Sequence, residues 1–155
     1  PDPDVTMGLA NKFIYKNWDL GFTMRASLGN YVYNNVLSGS MNVGKGSIYS
    51  LGYLSNKLLD GMALGFDSTG NESFSDLFVQ NASFLKMDNI TLGYSFANLF
   101  HNGKYNGVSG RVYGTVQNVF TITNYKGLDP EVANGFDNNM YPRPFQIIFG
   151  VNLNF

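Results

Sequence analysis

The sequence predicts an all-β chain, a segment of an antiparallel transmembrane β-barrel that does not close by itself. Three observations predict it. The last eleven residues, Phe145–Phe155, put Phe145, Ile147, Phe149, Val151, Leu153 and Phe155 on one set of alternate positions and Gln146, Ile148, Gly150, Asn152 and Asn154 on the other. A strand sends successive side chains to opposite faces, so one face is apolar and the other mostly small or polar. Charged residues make up only 14% of the chain while 44% is hydrophobic and 15% aromatic, a balance suited to a surface that meets hydrocarbon and is held at its rims by aromatics. The connections alternate short, long, short, long, which is the loop asymmetry of outer-membrane barrels.

The elements follow in order. Pro1-Asp2-Pro3-Asp4 is irregular, because proline fixes φ and removes a ladder donor. Val5–Tyr15 alternates imperfectly, Lys16-Asn17 reads as a two-residue turn with Asn able to take positive φ, and Trp18–Leu28 alternates without interruption. Trp18, Leu20, Phe22, Met24, Ala26 and Leu28 oppose Asp19, Gly21, Thr23, Arg25, Ser27 and Gly29. Each arm is about eleven residues, enough at a tilt of ~40° to cross about 25 Å. Tyr15 and Trp18 beside the turn fit an interfacial girdle.

From Asn30 to about Ser83 alternation lapses and glycine punctuates the chain, which predicts a long loop with short helices at Tyr31–Leu37 and Ile48–Leu59. A third strand is expected over Phe84–Phe96, with Phe84, Ile90, Leu92, Tyr94 and Phe96 on one face and Asn89, Thr91, Gly93 and Ser95 on the other. Lys86 and Asp88 interrupt the apolar face at its start, an end expected to project beyond lipid. A turn over Ala97–Gly107 leads to a fourth strand, Val108–Asn118, and a second long loop, Val119–Arg143, leads to the last. The closing strand should pair with Val108–Asn118 on one side. On the other it needs a strand absent from this sequence, since five strands cannot close and open edges in lipid are costly.

Several classes are excluded or left weak. Net charge is −1, so no broad basic field points to nucleic acid. Without cysteine there is no thiolate metal site, Cys nucleophile or disulfide framework. His101, the single histidine, has no Ser–His–Asp or zinc constellation around it, and Gly44-Lys45-Gly46-Ser47 lacks the spacing of a P-loop. No covalent chemistry is expected. No signal peptide opens the chain, which for an exported barrel suggests that Pro1 is not the start of the gene product. Two rivals remain: a passive porin or structural barrel, and a secreted carbohydrate-binding β-domain.

Three runs, SFLKMDNITLGYSF (Ser83–Phe96), RVYGTVQNVFTITNYKGLDPEV (Arg111–Val132) and YPRPFQIIFGVNLNF (Tyr141–Phe155), resemble the C-terminal end of the SusC/RagA-like TonB-dependent outer-membrane transporters, and KNWDLGFTMRASLGNYVYN (Lys16–Asn34) resembles the segment before them. The resemblance implies that this chain supplies the last five strands of a 22-stranded barrel around a plug. It also implies import of glycans, oligopeptides or similar nutrients across the bacterial outer membrane, a SusD-like surface lipoprotein as lid, and energy from TonB–ExbB–ExbD. The plug, the TonB-binding segment and the earlier strands are not in this sequence.

On that reading individual residues take roles. Phe155 resembles the terminal aromatic read by the barrel-assembly machinery, or is one more lipid-facing side chain. Gly127, Leu128, Asp129, Pro130 and Glu131 match the family's extracellular-loop motif; Asp129 and Glu131 offer oxygens to Ca²⁺ or, the favoured alternative, bond to nearby backbone N–H groups around a Pro130 turn. No other cofactor is implied. Arg25 and Arg111, on the inward face, either meet solute or plug or, the favoured alternative, join a charge ladder with Asp19 or carboxylates on missing strands. Tyr31, Tyr33, Tyr49, Tyr53 and Phe74 are loop aromatics that pack within the loop or face cargo and lid.

Overall fold

The computed structural model describes residues 2–41, 75–99, 107–138 and 141–154. In chain order the elements are β1 (Val5–Tyr15), β2 (Trp18–Leu28), β3 (Tyr31–Asn34), α1 (Asn35–Met41), a 3₁₀ turn at Asp76–Phe78, β4 (Val79–Asn81), β5 (Phe84–Leu99), β6 (Val108–Thr123), β7 (Phe136–Asp137) and β8 (Gln146–Asn154). They form a five-stranded sheet of order β1-β2-β5-β6-β8 and a three-stranded sheet of order β4-β3-β7. The contacts divide the chain into two compact units, one around each sheet.

In the five-stranded unit all five strands stand where alternation places them. The hairpin arms have the expected bounds, while β5 and β6 run three and five residues further than alternation indicated. In β6 the regular pattern is interrupted at Asn118, which takes φ 51°, although Phe120 and Ile122 alternate with Thr121 and Thr123 beyond it. Lys16, at φ 54°, takes the left-handed conformation at the hairpin tip, the position expected of Asn17. β8 pairs antiparallel with β6 from Ser109↔Asn154 to Gln117↔Gln146. β1 and β8 are the sheet's edges, so the described sheet is not closed.

This sheet has almost no core of its own. Among the described residues Phe84 is its one buried large apolar side chain, while Met7, Leu9, Phe13, Trp18, Leu92, Val112, Ile147, Phe149, Val151 and Leu153 stand exposed, Phe149 at 82%. A soluble sheet would have to cover a contiguous apolar face of this extent. A sheet whose outer solvent is lipid need not.

One register feature departs from simple alternation. Between β2 and β5 the pairing runs Phe22↔Ile90, Thr23↔Asn89, then Met24↔Met87 and Arg25↔Lys86. Asp88 has no opposite number: it is a β-bulge, two residues against one. The extra residue reverses parity for everything before it in β5. Phe84 and Lys86 therefore lie on the polar face with Arg25 and Ser27, and Met87 and Leu85 go to the apolar face. The expectation that Phe84 shares a face with Ile90, and that Lys86 interrupts the apolar face, is corrected. Lys86 is only 6% exposed, with its ammonium 5.2 Å from the Phe84 ring centre.

The other unit corrects the reading of both long connections as unpaired loops. Tyr31–Asn34 is strand, not helix. It pairs antiparallel with β4 (Tyr31↔Asn81, Tyr33↔Val79) and parallel with β7 (Tyr33↔Phe136, Asn34↔Asp137). The helix follows it, capped by Asn34, whose Oδ1 accepts the Leu37 N–H at 2.8 Å, as short polar side chains do at helix starts. Gly29, at φ 85°, ends β2 and turns the chain into this unit; its N–H donates to Ser83 Oγ at 2.9 Å. Asn30 and Ala82 clasp each other with Ala82 N–H to Asn30 O at 2.9 Å and Asn30 Nδ2 to Ala82 O at 3.0 Å. Val32, Ala82 and Tyr125 make a small core with Val132 against it. The helix expected at Ile48–Leu59, and Tyr49, Tyr53, Phe74, His101 and Phe155, lie outside the described residues.

Candidate functional site: the polar face of the barrel wall

The polar face of the five-stranded sheet carries two arginine–carboxylate forks. Arg111 on β6 donates from Nε to Asp19 Oδ1 at 2.8 Å and from Nη2 to Asp19 Oδ2 at 2.5 Å. Arg25 on β2 donates from Nε to Asp88 Oδ2 at 2.6 Å and from Nη2 to Asp88 Oδ1 at 2.9 Å. Two parallel N–H···O bonds match the planar guanidinium to a carboxylate and fix its orientation as well as its charge. Arg111 thus pairs with Asp19, a partner the sequence offered, whereas Arg25 pairs with Asp88, which the sequence placed on the other face. Asp19 was anticipated as a partner. Asp88 was not, because it is the bulge that aims it at Arg25.

The Asp19–Arg111 fork crosses a whole strand. Asp19 is on β2, Arg111 on β6, and β5 runs between them. The residue beneath is Gly93, paired with Asp19; a Cβ there would collide with both the guanidinium and the carboxylate. Glycine is required here for close approach, not for its φ. The guanidinium then lies 5.0 Å from the Tyr113 ring centre, and Tyr113 covers Gly150, its cross-strand partner, where any Cβ would meet the phenol ring. Thr91 and Thr115 hydroxyls are 2.8 Å apart on the same face. The result is a rigid polar wall with no metal-binding geometry: among the described residues no three His, Cys, Asp or Glu side chains gather.

On the apolar face Trp18 and Tyr94, paired across β2 and β5, have ring centres 4.8 Å apart beside the Lys16-Asn17 turn. Phe13 and Phe22 stack at 6.2 Å.

In the three-stranded unit the GLDPE motif wraps a buried polar pair. Tyr125 Oη donates to Asp137 Oδ2 at 2.7 Å, with Asp137 3% exposed. Gly127 lies so close that a Cβ would strike both the Tyr125 ring and the Asp137 carboxylate. Asp129 Oδ1 accepts the Glu131 N–H at 2.9 Å around a buried Pro130, the backbone-bonding turn expected of that carboxylate. Leu128 is exposed. Tyr33 packs between Phe136 and Phe78 at 5.6 and 6.2 Å and bonds to Ser38 Oγ at 2.9 Å, whereas Tyr31 is 51% exposed. Tyr125, Asp137 and Gly127 acting together escaped the sequence reading, since nothing local links positions ten and twelve residues apart.

Burial and the hydrogen bond to Asp137 push the Tyr125 phenol up, beyond the ordinary tyrosine range. Its folded value lies above the unfolded one of ~10, so the stabilisation it reflects is complete below about pH 10 and is lost as pH rises through the folded value. Tyr125→Phe is expected to loosen this unit by about 1–3 kcal/mol. In the folded protein, an alkaline-active protease should cut residues 126–138 faster in the variant at neutral pH. Wild-type cleavage should climb above about pH 10 with the variant's rate changing less.

These features define a wall of a transmembrane β-barrel: a lipid-type outer face with a girdle at the short turn, a polar inner face, and two open edges. Comparison with known proteins makes the assignment specific. Across all of its 155 residues the chain is 52% identical to the TonB-dependent receptor SusC of Bacteroides thetaiotaomicron, of which it spans 15%. It is 28% identical over 170 residues to the TonB-dependent receptor P3 of Formosa agariphila, of which it spans 17%. Among solved structures it superposes on the RagAB peptide importer in its closed-closed state with a TM-score of 0.77 and 26% identity, and in its open-open state with 0.76 and 28%, covering 98% and 99% of this chain and 17% of each of those. No family model matches the chain. The chain has the sequence and the fold of a barrel segment of the SusC/RagA-like TonB-dependent transporters.

Proposed function

We propose that this chain is the C-terminal five-stranded part of a TonB-dependent importer in a bacterial outer membrane, and that the whole protein carries a nutrient, a glycan, oligopeptide or similar solute, by binding and gated passage without covalent chemistry. The observation that carries the reading is the 52% identity to SusC over the whole chain, supported by an apolar face whose described residues stand exposed. The remaining strands and the plug belong to the rest of that protein. A SusD-like lipoprotein closes the mouth, TonB–ExbB–ExbD supplies energy through the plug side, and the barrel-assembly machinery inserts the barrel.

Within this scheme the two forks stiffen the lumen wall that faces plug and solute. Tyr31 offers aromatic surface to cargo or lid, a role the sequence also assigns to Tyr49, Tyr53 and Phe74, while Tyr33 is taken up by packing. The GLDPE loop is held by Tyr125 and Asp137 and presents Leu128 outward. Phe155 is the assembly signal: its deletion from the full-length protein should lower outer-membrane yield several-fold, and unchanged yield would refute that role.

The test of the function is uptake. Cells expressing the full-length protein are grown on oligosaccharides or oligopeptides as sole carbon source, with and without a working TonB system. Growth on at least one nutrient that depends on both the protein and TonB is expected. Growth that depends on the protein but survives loss of TonB would make it a passive porin.

A further inference from the structure

The apolar face is not smooth. Trp18, Leu92, Tyr94, Val112, Gly114 and Phe149, with Tyr113, whose ring is on the opposite face, between Val112 and Gly114, line a cavity of about 460 Å³ that opens on it. These residues come from β2, β5, β6 and β8, so strands added beyond the two edges of the sheet leave the cavity uncovered. Gly114 forms the floor. It pairs with Phe149, and a Cβ there would make only ordinary contact with that ring, at 3.4 Å. The notch is therefore unfilled by choice of residue, not forced by crowding.

The position selects the occupant. The cavity includes the Trp18–Tyr94 pair, so it begins at the girdle beside the short Lys16-Asn17 turn. Two residues before Trp18 is Lys16, exposed, with its ammonium 5.4 Å from the Tyr15 ring centre. An exposed cation on the turn that leads into Trp18, at one end of a carbon-lined notch, complements one kind of molecule: an anionic headgroup joined to a hydrocarbon chain. Short turns of bacterial barrels lie on the periplasmic side, where the leaflet is built of glycerophospholipid.

We propose that this notch is a binding slot for one phospholipid, with an acyl chain laid over Gly114 between Trp18 and Phe149 and its phosphate held by Lys16. The inference rests on the barrel reading above, but its failure is separable, since uptake and assembly are measured independently of bound lipid.

The experiment uses the full-length transporter extracted in mild detergent and examined by native mass spectrometry. Gly114→Leu puts a branched side chain into the slot from a Cβ in ordinary contact with Phe149, Lys16→Glu reverses the rim charge, and Met7→Leu on the distant edge strand is the control. Wild type and control should retain one more phospholipid than Gly114→Leu, and Lys16→Glu should cut retention at least threefold, with all variants assembled and importing. Equal retention in all four would overturn the proposal. So would retention of lipopolysaccharide in place of phospholipid, or trapping of a second copy across this face by a disulfide at Phe149→Cys.

Discussion

Replacing Gly93 with valine is expected to lower the stability of the full-length barrel by about 2–4 kcal/mol, more than is usual for a single residue on a strand. The reason lies in what the glycine lets past. Arg111 reaches from β6 across β5 to Asp19 on β2, and the guanidinium and carboxylate occupy the space a side chain at position 93 would need. Valine is a good strand former, so local propensity alone predicts a gain. The loss comes from opening a two-bond, charge-assisted fork whose aspartate side chain is only 12% exposed. Such a partly buried carboxylate keeps little solvation once its partner is displaced.

A double-mutant cycle separates this cause from generic crowding. With Asp19→Ala and Arg111→Ala in place the collision partners are gone, and Gly93→Val should become close to neutral. Thermal unfolding of the four purified proteins gives the coupling. A cost for Gly93→Val that is the same in both backgrounds would mean that the fork is not what the glycine protects.

Alternation made five strands, their order of connection and the β6–β8 pairing readable from sequence, because each is a period-two pattern set against lipid on one side and polar groups on the other. The small sheet was unreadable for a physical reason. Its strands are two to four residues long, too short to show a period, and Tyr33 meets Phe136 across more than a hundred residues. The candidate site was partly readable. Arg25 and Arg111 stood out as cations opposite an apolar face, and Asp19 shared their parity. Asp88 shared the apolar parity by counting, and only a bulge brings it to Arg25. Gly93 looked like any other small residue on a polar face. Nothing in its neighbours' identity says that a salt bridge passes over it, because that depends on the stagger of three strands.

The bulge yields the other large effect, through two changes that look alike and should act oppositely. Deleting Asp88 removes the extra residue and leaves Thr23↔Asn89 followed directly by Met24↔Met87, a regular ladder with every other side chain on its present face. The barrel should assemble at near wild-type yield, short only of the fork to Arg25, a cost of about 1–3 kcal/mol. Inserting one serine between Thr23 and Met24 instead gives Asp88 an opposite residue. The ladder is again regular, but every residue beyond the insertion changes face. Arg25 and Lys86 then point at lipid with Asp88, each cation costing about 1–4 kcal/mol according to depth, while Met24 and Met87 turn to the lumen. Outer-membrane yield of the insertion variant should fall at least fivefold below that of the deletion. A charge-neutral version of the insertion, with Arg25→Leu, Lys86→Leu and Asp88→Leu, should recover much of the loss. If the deletion failed and the plain insertion assembled, the bulge would not be what sets the faces of β5, and alternation counted straight through Asp88 would be the better description of the wall.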